Sequence, residues 1–158
     1  MAGDIRVLFV CLGNICRSPT AHGIFEQLAS QHPLAKRIEV DSAGTGAWHV
    51  GNPPDPRAIE AARRHGCAIE QLRARQVVVE DFDYFDYILA MDSANLRDLQ
   101  AMRPAHYGGT LCRFLEFADL SEDVPDPYYG GDAGFDHVYQ LCDAASRGLL
   151  QHIQQRHG

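Results

Sequence analysis

The chain has 158 residues, 46% hydrophobic and 22% charged, with a formal net charge of -7 at pH 7. That composition suits one globular domain with a full core; it argues against a nucleic-acid-binding surface and offers no attraction to an anionic membrane. Five cysteines at scattered spacings make no disulfide framework, and no apolar run reaches membrane-spanning length or the pattern of a secretory leader. The expectation is a monomeric, cytoplasmic protein with a single domain over residues 1–158.

Residues 5–10 form an apolar run of strand length that ends just before Cys11. Leu12, Gly13, Asn14, Ile15, Cys16 and Arg17 follow, and Ser18-Pro19 reads as a helix start with Ser at the N-cap and Pro at the first helical position. Ala21, Ile24, Phe25 and Leu28 keep helical spacing until Pro33 stops it. A short loop between a strand and a helix N-terminus is an anion site, because amides point inward and the helix dipole adds positive potential. Gly13 and Asn14 tolerate the left-handed backbone such a loop requires. Cys11 would sit on the floor of that bowl, where the field that holds an anion also favours a thiolate. Ser18 can donate its hydroxyl to that sulfur, and the planar fork of Arg17 matches two oxygens of a phosphoryl group. A buried inert cysteine before an ordinary capped helix is the simpler alternative. Gly, Asn, Arg and Ser gathered between strand and helix favour the nucleophile.

Residues 38–41 read as a second strand, followed by a turn of small residues at 42–46. The stretch 48–56 is rich in Gly and Pro and reads as a surface loop. Asp55-Pro56 then caps a helix whose apolar stripe is Ala58, Ile59 and Ala62, ending at Gly66. Residues 69–84 show no clean period. Residues 87–90 are a strand, Asp92 or Ser93 caps a helix carrying Leu96 and Leu99, and 111–117 read as the last strand. After the Asp-, Pro- and Gly-rich segment 119–134, a long helix presents Val138, Leu141, Cys142, Ala145 and Leu149 on one face. Strands separated by helices imply parallel pairing with right-handed crossovers. The expected fold is α/β, a single open four-stranded parallel sheet flanked by helices on both faces. Its ligand site lies outside the carboxyl ends of the strands, where the Cys11 loop is.

Attack by Cys11 on a phosphate monoester leaves an oxygen that needs a proton, since a tyrosine phenol has a pKa of ~10. Asp126 lies in V-P-D-P-Y-Y-G at residues 124–130, a segment stiffened by two prolines and able to hold a carboxyl over a pocket. An Asp-Pro turn with exposed tyrosines is the plainer reading of that segment taken alone. Trp48, Tyr128 and Tyr129 would wall the cleft and stack on an aromatic substrate. The eight histidines are scattered singly and suggest no metal site.

The motifs C-L-G-N-I-C-R-S at 11–18, D-S-A-G-T at 41–45, R-A-R-Q at 73–76 and D-P-Y-Y-G at 126–130 together resemble the low-molecular-weight protein tyrosine phosphatases, over essentially the whole chain. The resemblance implies that family's Rossmann-like fold and hydrolysis of phosphotyrosine and aryl phosphates through a cysteinyl-phosphate. Cys11 would be the nucleophile, Arg17 and the loop from Leu12 to Ser18 the phosphate binders, and Asp126 the acid and then the base. It implies no metal and no cofactor, and a phosphotyrosine-containing protein, such as a tyrosine kinase, as substrate. It also implies that Asn14, Ser18 and Ser42 form a hydrogen-bonded support, and that Cys16 is the redox partner of oxidised Cys11. The family often has a His three residues before the Arg of A-R-Q; here that position is Leu72, which cannot hydrogen-bond. Ile15, where a small residue would favour phosphoarginine, leans towards phosphotyrosine. Two alternatives compete. A thiol-dependent arsenate reductase on the same fold would need further cysteines near the third strand, where residues 81–91 have none. A non-catalytic phosphate-binding or redox-switch module would have no use for an acid at Asp126.

Overall fold

Strand β1 (Ile5–Cys11) is buried on both faces and occupies an inner position in a parallel sheet with β2 (Ile38–Gly44), β3 (Tyr87–Ala90) and β4 (Thr110–Arg113), ordered β2-β1-β3-β4. This is a computed structural model, and it describes residues 4–128 and 131–158. A near-continuous apolar run is what an inner parallel strand needs, since helices cover both of its faces. Ile5, Val7 and Phe9 point to one side, into a cluster with α1 (Arg17–Ser30), α2 (Pro56–Arg64) and α5 (Asp132–His157). There Phe9 meets the edges of Phe25 and Phe114, with ring centroids 5.8 and 4.9 Å away. Leu8 and Val10 point to the other side and pack with Phe82 of α3 (Asp81–Tyr84) and Leu99 of α4 (Ser93–Met102). The four-stranded parallel sheet with helices on both faces is therefore the fold expected. Its register sets Cys11 level with Gly44 of β2, at the carboxyl edge of the sheet.

Local boundaries differ from the sequence reading where tertiary contacts take over. Helix α1 begins at Arg17 with Cys16 in the cap position, so Ser18 lies inside the first turn and is not the N-cap. Its hydroxyl is instead engaged by Asn14 and Cys11. Residues 42–44 continue β2 rather than turning, because Gly44 exchanges backbone hydrogen bonds with the segment at 75–77, which the sequence left unassigned. The last strand stops at Arg113 and tightens into a 3-10 turn, Phe114–Ala118, that buries Phe114 and Leu115. Helix α5 starts within the segment read as a loop. Asp55 caps α2 by accepting from the Arg57 amide at 2.8 Å, and Asp92, not Ser93, caps α4 by accepting from the Asn95 amide at 2.7 Å.

Candidate active site

The loop from Cys11 to Arg17 is shaped by one left-handed residue. Asn14 has φ 58°, while Gly13 is not left-handed and is needed small: a Cβ there would lie 2.9 Å from the His49 ring. Beneath the loop, a Cβ on Gly44 would lie 2.7 Å from the Leu12 carbonyl oxygen and 3.1 Å from the Gly13 carbonyl carbon. The Thr45 and Gly46 amides donate to the Cys11 and Leu12 carbonyls, both at 2.9 Å, and fasten the loop to the end of β2.

The Cys11 sulfur accepts from the Asn14 amide at 3.2 Å and lies 3.0 Å from Ser18 Oγ. Asn14 Nδ2 donates to that same oxygen at 2.7 Å, so the Ser18 proton is left for the sulfur or for the Ala43 carbonyl at 3.4 Å. Asn14 Oδ1 in turn accepts from the Arg75 backbone amide at 3.0 Å. A main-chain group therefore helps hold Asn14, and Leu72 packs against the apolar core instead. The Ser42 hydroxyl meets neither Asn14 nor Ser18; it lies 3.0 Å from Nδ1 of the buried His22, and only the carbonyl of its neighbour Ala43 faces the Ser18 hydroxyl. His22 lies one helical turn beyond Ser18 on α1, with Glu26 3.5 Å from its other ring nitrogen. This buried histidine thus comes from α1, and it holds Ser42 of β2.

Arg17 is 3% exposed. One of its nitrogens donates to Asp92 Oδ2 at 2.6 Å and to the Val124 carbonyl at 3.1 Å, while the other faces Asp126 Oδ2 at 3.8 Å. Burial works against its charge, but the Cys11 sulfur and the Asp92 and Asp126 carboxylates outweigh it and raise its proton affinity. Sequence reasoning saw Asp92 only as a cap. It is both cap and anchor, since Oδ1 holds α4 and Oδ2 holds Arg17. The signal available was its place just past the carboxyl end of β3, the strand beside β1.

Asp126 is half exposed, and its Oδ1 accepts from the Tyr128 amide at 3.0 Å. Cys11, Leu12, Gly13, Ile15, Cys16, Arg17, Trp48, His49, Asp126 and Tyr128 line one cleft of about 400 Å³. Trp48 stands at its rim, 73% exposed, with its ring against Gly46, where a Cβ would collide with it. Tyr129, the other expected wall residue, lies outside the described residues. His49 is a lining residue that sequence reasoning missed, its ring centroid 6.5 Å from that of Tyr128. Cys16 is buried, and burial, with Asp55, Cys11 and Asp126 nearby, pushes its thiol well above the usual range. The cleft thus brings a thiol, a pre-oriented guanidinium and a carboxyl around one open position beside aromatic walls, a set suited to transfer of a phosphoryl group.

The family model described as low molecular weight phosphotyrosine protein phosphatase matches residues 6–157. The chain is 46% identical over 153 residues to the low molecular weight protein-tyrosine-phosphatase YfkJ of Bacillus subtilis, covering 96% of this chain and 97% of that protein. The solved protein tyrosine phosphatase of Entamoeba histolytica has a TM-score of 0.91 to this fold at 36% identity, over 96% of this chain and 98% of its own. A Drosophila arginine phosphatase structure has a TM-score of 0.89 at 33% identity, over 95% and 98%.

Proposed function

The chain belongs to the low molecular weight phosphotyrosine protein phosphatase family, and from that premise we propose how its cleft residues divide the work of phosphotyrosine hydrolysis. It is a protein-tyrosine phosphatase, a hydrolase of phosphotyrosine monoesters by a cysteine-based mechanism. Cys11 attacks phosphorus as a thiolate, forming the P–S bond as the bond to the phenolic oxygen breaks. Asp126 gives its proton to the departing oxygen, while Arg17 and the loop hold the non-bridging oxygens. Water then loses a proton to the Asp126 carboxylate and attacks phosphorus. The P–S bond breaks, inorganic phosphate leaves, and the Ser18 hydroxyl stabilises the returning thiolate. The observation that carries this reading is the shared cleft, in which Asp126 stands 3.8 Å from an Arg17 already aimed by Asp92 and Val124.

Trp48 and Tyr128 would flank the substrate ring, and Ile15 would line its base. Cys16 would take up oxidised Cys11 as a disulfide, sparing it further oxidation. We read the enzyme as a cytoplasmic monomer acting on a phosphotyrosine-bearing protein such as a tyrosine kinase. Five unpaired cysteines support a reducing compartment.

Steady-state hydrolysis of a phosphotyrosine peptide and of nitrophenyl phosphate tests the assignment. Cys11→Ser should abolish turnover of both. Asp126→Asn should lower kcat/KM on the peptide by about 10²–10⁴-fold, the usual range for general acid catalysis, and less on the more acidic nitrophenol. A wild type that binds phosphate and turns over neither substrate would overturn it. Likeness to an arginine phosphatase makes phosphoarginine the competing substrate to include; faster turnover of phosphoarginine would move the specificity to the P–N bond.

A further inference from the structure

A general acid must lie within hydrogen-bonding reach of the atom it protonates, and a misplacement of about 1 Å can cost about 10²-fold in rate. Asp126 is half exposed and belongs to no helix or strand, so something outside its own segment must hold it. At the near end, the Val124 amide donates to the Met91 carbonyl at 2.8 Å, and Arg17 donates to the Val124 carbonyl. At the far end stands Arg57. Its Nη2 donates to the Tyr128 carbonyl at 2.8 Å, and the Tyr128 amide donates to Asp126 Oδ1 at 3.0 Å. The two main-chain polar groups of one residue therefore link Arg57 to the carboxyl.

Arg57 is itself fixed. Asp55 Oδ1 accepts from Arg57 Nε at 3.1 Å and Asp55 Oδ2 from Nη2 at 3.0 Å, a bidentate pair. The guanidinium carbon lies 4.7 Å from the Phe135 ring centroid on α5 and 5.6 Å from that of Tyr128. Burial pushes the Asp55 carboxyl upward, but the Arg57 fork and amide outweigh it and hold it below the usual carboxylate range, so the pair stays ionised at neutral pH. The Asp55 amide donates to the Ile15 carbonyl at 2.8 Å. A continuous path thus runs from the phosphate loop at Ile15, through Asp55 and Arg57, to Tyr128 and Asp126. Among the described residues that line the cleft, Arg57 is not one.

We propose that Arg57, clamped by Asp55, is a positioning residue that sets Asp126 over the phosphate loop. The proposal rests on the reading of Asp126 as the general acid. A lysine cannot replace the fork, because a point charge cannot serve Asp55 bidentately, donate to Tyr128 and stack on Phe135 together.

The test is kcat/KM for Arg57→Lys and Arg57→Gln, alone and in Asp126→Asn, on a phosphotyrosine peptide and on nitrophenyl phosphate. The leaving group departs in the first step, which kcat/KM reports. Either Arg57 variant should lose about tenfold on the peptide and no more than about twofold on nitrophenyl phosphate, as expected for a displaced acid. In Asp126→Asn neither should lose anything further, and the rate of Cys11 alkylation should match wild type. Equal losses on both substrates, or the same loss again in Asp126→Asn, would overturn the proposal and make Arg57 a general scaffold residue. So would unchanged activity in both variants. If Asp126→Asn alone shows no dependence on the leaving group, the acid assignment has failed, and this is distinguishable because it is seen with Arg57 intact.

Discussion

Cys11 differs from the other four cysteines in what surrounds the sulfur. Burial pushes the thiols of Cys16, Cys67, Cys112 and Cys142 upward, Cys112 to about 12. Cys11 instead ends a strand at the head of a helix, with an amide and a hydroxyl against its sulfur. Iodoacetamide at pH 7 should therefore label one cysteine, and peptide mass spectrometry should find it at Cys11, with inorganic phosphate protecting it. Earlier labelling at Cys16 or Cys67 would contradict this. Cys11, Arg17 and Asp126 were legible because their chemistry is carried by residue type inside short motifs. The partners of Arg17 were not, because Asp92 and Val124 lie 75 and 107 residues away in the chain.

The loop from Cys11 to Arg17 is an element built on its neighbour. Its backbone rests on Gly44, where any side chain would press on the Leu12 and Gly13 main chain. Backbone cannot swing aside as a flexible side chain can, so Gly44→Ala forces a shift of loop or strand. It should cost about 1–3 kcal/mol, as overpacking does, with a lower Tm and weaker phosphate binding measured together. A variant with wild-type Tm and phosphate affinity would show that the loop is not seated there. Strand β1 and the caps at Asp55 and Asp92 were readable from local pattern. The position of Ser18 was not, because Asn14 and Cys11 claim a hydroxyl that would otherwise cap.

For the whole molecule, α5 closes one face of the sheet and carries His152 between the rings of Tyr87 and Phe117, at 5.8 and 5.2 Å between centroids. Burial, with Arg156 and His157 nearby, holds its imidazole below the ordinary 6.5. The unfolded chain then takes up the proton first, so this contribution to stability is complete above about 6.5 and is lost as pH falls through the lower folded value. The urea midpoint should drop between pH 8 and pH 5, and His152→Gln should shrink that drop. An unchanged drop in the variant would assign it to other groups. A second fall, below about 4, is shared by the carboxyls whose folded values are depressed, among them Asp55, Asp123, Asp136 and Glu26.

Chain order alone carried the α/β class, the four parallel strands and the strand–loop–helix unit that holds Cys11. Each of these depends on apolar period, caps and residue types within about a dozen positions. The order β2-β1-β3-β4, the seat of the loop on Gly44 and the partners of Asn14, Arg17, Ser42 and Arg57 needed the folded chain. The contacts Asn14–Arg75, Arg17–Asp92, Ser42–His22 and Arg57–Tyr128 each join groups 20 or more residues apart, and a hydrogen bond across that distance leaves no periodic trace in either segment. Parallel pairing brings the carboxyl ends of β1, β2 and β3 to one edge, and that juxtaposition turns a cysteine motif into a cleft.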